Sequence, residues 1–104
     1  VQLLLEARAD ADVAGNQGMT PLISASAQGH VDVVRVLLEA GARKDAANIQ
    51  GKTALLTAAL NRQLETVTLL LEFGANKNCA DVEGITPLIA AARSGHLGIA
   101  RRLT

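Results

Sequence analysis

The stretch GMTPLISASAQGH (18–30) returns almost unchanged as GITPLIAAARSGH (84–96), and GKTALLTAALNRQ (51–63) keeps the same frame between them. The interval is 33 residues each time: Gly18, Gly51 and Gly84 mark it, as do Thr20, Thr53 and Thr86, Leu22, Leu55 and Leu88, and Ala25, Ala58 and Ala91. Gly41-Ala42 recurs as Gly74-Ala75, Leu37-Leu38 as Leu70-Leu71, and LLEARAD (4–10) falls over LLEAGAR (37–43). A fixed period of this length is the signature of an array, in which each unit buries its apolar face only against its neighbours.

Each period has a physical reading. Thr20-Pro21 and Thr86-Pro87 place an N-cap before a first helical residue, where proline sacrifices no hydrogen bond. The run that follows is a short helix whose alanines permit close approach, and Gly29 or Gly95 ends it in the left-handed conformation. A second helix carries apolar residues at helical spacing: Val31, Val34, Leu37 and Leu38 in one copy, Leu64, Val67, Leu70 and Leu71 in the next. Gly41 and Gly74 stop it, and a polar, hairpin-like loop turning at Gly18, Gly51 or Gly84 leads to the next threonine. The fold class expected is all-α, a solenoid of helix-turn-helix units joined by hairpin-like loops.

With T-P-L, A-A or A-S, G-H and L-L-E-x-G-A at these offsets, the chain resembles the ankyrin repeat over essentially its whole length. The expected division is one domain over 1–104, made of a partial repeat (1–14), full repeats at 15–47 and 48–80, and a truncated repeat at 81–104. The resemblance implies that first helices and loop tips line a concave groove and that second helices form a convex back. The slot after T-P-L, usually histidine in this family, holds Ile23, Leu56 and Ile89 here, which reads as apolar packing in place of a polar network. Arg62 takes the helix-ending glycine slot of the middle repeat, where a side chain costs about 1 kcal/mol. Arg8 departs similarly from Gly41 and Gly74, and Gly98 costs its helix ~1 kcal/mol against alanine.

Composition limits the chemistry. Of 104 residues 49% are apolar, with one Phe and no Trp or Tyr, and ten basic residues balance ten acidic ones. No net field attracts nucleic acid, and a basic stripe with stacking aromatics is lacking. The uncharged run TALLTAAL lies between Lys52 and Arg62 and is far too short for a membrane span. No secretory signal pattern opens the chain, and the lone Cys79 makes no internal disulfide. His30 and His96 are one repeat slot used twice, directly after a glycine, and read as structural. One cysteine and two distant histidines supply no zinc site, no phosphate-cradling glycine motif occurs, and Ser24, Ser26 and Ser94 have no visible base. Asp12, Asp45 and Asn78 share a loop slot that suits turn residues bonding nearby backbone. No catalytic, cofactor or metal site is expected.

Function is therefore expected from surface: a non-enzymatic scaffold for a protein partner. The resemblance assigns the contact slots to Asn16, Gln17, Met19, Ala27 and Gln28, to Ile49, Gln50, Lys52, Leu60 and Asn61, and to Val82, Glu83, Ile85, Arg93 and Ser94. Met19, Ile49, Leu60, Val82 and Ile85 form either an exposed apolar row or a local packing layer within the hairpins. Both chain boundaries fall inside repeats, which reads as a piece of a longer array or larger assembly. Two alternatives differ in class: a structural accessory subunit of a large assembly, and a targeting module of a longer enzyme. The style of GARKDAA and of GANKNCADVEGITPLIAAARSGH resembles ankyrin arrays abundant in photosynthetic protists, which makes a chloroplast complex the alternative to a default intracellular setting.

Overall fold

The computed structural model describes residues 15–104, and among these six α-helices form with no strand longer than an isolated bridge between Ala47 and Thr53. They are α1 (Pro21–Gln28), α2 (Val31–Glu39), α3 (Ala54–Leu60), α4 (Leu64–Glu72), α5 (Pro87–Ser94) and α6 (Leu97–Leu103), preceded by one 3-10 turn at Asn16–Gly18. The partial repeat at 1–14, with Arg8 and Asp12, lies outside the described residues.

The expected caps are in place. Thr20, Thr53 and Thr86 each accept, through Oγ1, the backbone N–H three residues on, at 3.1, 3.2 and 3.2 Å. Each bond satisfies one of the donors that a helix start leaves unpaired. Gly29 and Gly95 end α1 and α5 with φ of 71° and 70°. Arg62 takes the same conformation in the middle unit, with φ 60°. Its strain is accompanied by a contact that glycine cannot make, since Arg62 Nη1 donates to Ser94 O of the next unit at 2.7 Å. A cation thereby meets the last carbonyls of α5, where the helix dipole is negative. A second non-glycine residue of this kind is Gln17, at φ 61°, in the first loop.

The helices lie in two layers. The first helices α1, α3 and α5 pack side by side, and the second helices α2, α4 and α6 pack behind them. The result is elongated, 43 × 24 × 20 Å. The middle unit is sandwiched: Ala54, Leu55, Leu56, Thr57, Ala58 and Ala59, six of the seven residues of α3, are all buried. Alanine at 54 and 58 permits the close approach, while Leu55 and Leu56 fill the junctions.

Two adjacent slots show what stacking does. Leu22 and Leu55 are 1% exposed, but Leu88 is 39% exposed; Ile23 and Leu56 are 1% and 0% exposed, but Ile89 is 38% exposed. The apolar replacement for the family's histidine is therefore core in two units, and in the third it lies on the uncovered end of the stack. Leu55→Ala is expected to cost about 2–5 kcal/mol in urea unfolding, Leu88→Ala under about 1 kcal/mol. Arg62→Ala is expected to lose about 1 kcal/mol with the Ser94 bond, and Arg62→Gly to recover most of it by relieving the backbone. If Arg62→Gly proves as damaging as Arg62→Ala, φ strain at this position is not a real cost.

Candidate functional site

The loops carry a turn used twice. Asn48 Oδ1 accepts the N–H groups of Gln50 and Lys52 at 2.9 and 3.0 Å. Asp81 Oδ1 accepts those of Glu83 and Ile85, both at 2.9 Å. The side chain replaces a strand partner for two loop amides, a standard use of Asn and Asp. Each then reaches back one unit: Asn48 Nδ2 lies 3.4 Å from Met19 Sδ, and Asp81 Oδ2 lies 3.5 Å from Lys52 Nζ. Backbone bonds join the same tips, with Ile49 N–H donating to Gln17 O and Val82 N–H to Gln50 O, each at 3.0 Å. The tips are thus tied into one edge.

Asp81 is the buried charge of this edge, its side chain 2% exposed. The Ile85 amide holds its carboxyl below the ordinary value of 3.8; desolvation opposes this, and the Glu83 amide and Lys52 add to it.

Between the tips of the last two units and helices α3 and α5 lies a depression of about 370 Å³. Lys52, Asp81, Glu83 and Ile85 line it from the loops, and Leu60, Ala90, Arg93 and Ser94 from the helices. Six of the residues expected at a contact surface thus meet in one place: Lys52, Leu60, Glu83, Ile85, Arg93 and Ser94. Leu60 is 42% exposed and Arg93 is exposed, so an apolar and a cationic group stand together at the opening.

The remaining expected residues lie elsewhere. Ile49 and Val82 project from the tips, 69% and 73% exposed, and Gln50 is exposed beside them. Asn16, Gln17, Gln28 and Asn61 are exposed; Ala27 is half-buried, and Asn61 Nδ2 donates to Thr57 O at 2.8 Å. Met19 and Ile85 are half-buried and pack on the core. The apolar row expected from sequence is therefore split, with Ile49 and Val82 outward, Met19 and Ile85 at the base of the loops, and Leu60 on a helix.

Asp81 and Ala90 were not anticipated as lining residues. The signal for Asp81 is its slot, three before Gly84, as Asn48 stands three before Gly51. Asp45 also differs from expectation: it accepts not nearby backbone but the Asn76 N–H of the following unit, at 2.8 Å. His96 behaves as a structural residue, its Nδ1 accepting the Ile99 N–H at 3.2 Å to cap α6. Among the described residues no group of three or more His, Cys, Asp or Glu could hold a metal ion, and no helix is long and apolar enough to cross a membrane.

Two layers of short helices, repeated every 33 residues and edged by tied loops, define a helix-pair solenoid. A family model of ankyrin repeats, in three copies, matches residues 1–48 and 43–104, and the chain belongs to the ankyrin-repeat family. A search of the curated proteins found no match. Ankyrin repeats are generally protein–protein interaction modules, and the family is typically non-enzymatic.

The Asp81 turn has a pH signature. Its carboxyl is depressed in the folded chain, so its contribution is present above the unfolded value and fades as pH falls through the folded one. The urea midpoint of the native chain is expected to drop as pH falls below about 4. Asp81→Asn, which keeps an Asn48-like turn, is expected to flatten that dependence. An unchanged acid dependence in the variant would assign it to other carboxylates.

Proposed function

We propose that the chain is a non-enzymatic scaffold whose loop tips and first helices bind a segment of a partner protein, centred on the depression between the last two units. The observation that carries this reading is the meeting of Leu60, Arg93 and Glu83 around an opening walled by backbone-tied loops. Such a surface offers apolar contact and opposite charges on backbone-tied loops, which lowers the ordering cost of binding on the protein's side. With Lys52 already turned toward Asp81, Arg93 and Glu83 are the charges left to orient a partner. Ile49 and Val82 extend the contact along the tips. Lacking Trp and Tyr, the usual anchors, the surface suits an extended segment more than a deep plug. The units that carry it are 15–47, 48–80 and 81–104 of one domain, and the isolated chain is expected to turn over no substrate.

Selection of binders from a displayed peptide library against the native chain tests the reading. Selected binders are expected to lose at least about tenfold in affinity, about 1.4 kcal/mol, with Leu60→Asp or Arg93→Glu. Val36→Asp, on the second-helix layer, is expected to leave affinity unchanged. Binders that respond to Val36→Asp and ignore the groove variants would place the working surface on the opposite face.

A further inference from the structure

The turn between α3 and α4 departs from its counterparts beside the groove. Gly29 and Gly95 end the flanking first helices with φ of 71° and 70°, and Arg62 holds the same conformation at 60°. A side chain is the less comfortable choice there, and residues held in sparsely populated backbone regions cluster at binding and switch sites.

The surroundings differ as well. At the first junction the equivalent space is taken, since a Cβ on Gly29 would meet the carboxamide of Gln63 from the next unit. At the second junction the residue in the Gln63 slot is His96. Its Nδ1 turns to its own helix and accepts the Ile99 N–H at 3.2 Å, a cap that Gln63 does not make. The side chain of residue 62 is thus free to cross to α5, and Arg62 does so, with Nη1 donating to Ser94 O at 2.7 Å.

That bond sets a cation at the rim of the depression. Arg93 and Ser94 both line it, as does Leu60, two residues before Arg62. Arg62 and Arg93 are exposed, and among the described residues neither is ion-paired, whereas Lys52 is engaged with Asp81. A guanidinium carries five N–H donors in one plane. With one Nη1 hydrogen on Ser94 O, the Nε–Nη2 edge of Arg62 keeps the parallel N–H pair that a carboxylate accepts bidentately. The Ser94 bond also fixes the side chain beforehand, which reduces the rotamer freedom lost on binding.

Taking the groove as the partner site, on which this step rests, we infer that Arg62 is a further binding residue. Together with Arg93 it selects a partner segment that carries an Asp or Glu side chain beside the apolar side chain meeting Leu60. The two arginines outweigh the Glu83 carboxylate on the loop side, which gives the α5 end of the groove its preference for an acidic residue. The strained arginine thus serves recognition, and its replacement by glycine spares stability while it costs binding.

The test uses peptides selected from a displayed library on the native chain and kept where Leu60→Asp weakens them. These groove binders are expected to share an acidic residue. Replacing that residue by its amide is expected to weaken binding to the native chain about fivefold at low salt, and Arg62→Gly to weaken the acidic binder to the same extent. The amide binder is expected not to distinguish Arg62→Gly from the native chain, and the fivefold difference to shrink at about 1 M salt. The urea midpoint of Arg62→Gly is expected to stay near the native one, which separates this pattern from a loss of structure. Groove binders that share no acidic residue overturn the inference. So does Arg62→Gly if it weakens the acidic and amide binders alike, or neither. If no selected binder responds to Leu60→Asp, the groove reading itself fails and the inference falls with it.

Discussion

The interaction on which the rest depends is the flat contact between neighbouring first helices. Helix α3 is the clearest case, since it has a first helix on either side and six of its seven residues are buried, Leu60 alone being exposed. A seven-residue helix has no stability of its own in water. It exists because stacking removes Leu55 and Leu56 from water, each such burial contributing about 1.5–3 kcal/mol. Alanine at 54 and 58 is what lets the axes come close enough. The same logic makes the chain nearly one-dimensional: a unit's stability depends on how many sides are covered, not on its own sequence alone.

Positioning of the loops follows from that stacking. Once the helices are in register, the tips stand close enough for Ile49 and Val82 to bond the preceding loop and for Asp81 to meet Lys52. The polar groups of an otherwise irregular segment are satisfied by neighbours, which keeps the edge rigid without a sheet. Rigidity here has a functional meaning. On the proposed reading, the groove between Leu60, Glu83 and Arg93 would meet a partner with its backbone already ordered by folding.

Much of this was legible in the residues. The period, the threonine caps and the glycine stops are local chemistry, and local chemistry repeats visibly. Arg62 was legible as a strained substitution, but its bond to Ser94 O was not, because nothing in sequence links a side chain to a carbonyl 32 residues away. Asp45 misled for the same reason: it has the composition of a turn residue, yet its partner amide belongs to the next unit. Gln17 shows no sign in sequence of its left-handed backbone. The five apolar contact candidates looked equivalent as residue types, and only the loop geometry separates Ile49 and Val82 from Met19 and Ile85. Ile89 shows the limit most directly, since residues in one slot of the period are core or surface according to what lies beside them.

Native-state hydrogen exchange, read amide by amide under increasing urea, tests most directly the claim that coverage by neighbours sets the stability of each unit. The account predicts that amides of α3 and α4 are the most protected and open only with global unfolding, and that those of α5 and α6 open earlier at lower free energy. Equal protection across the three helix pairs, or the greatest protection in α5 and α6, would contradict it.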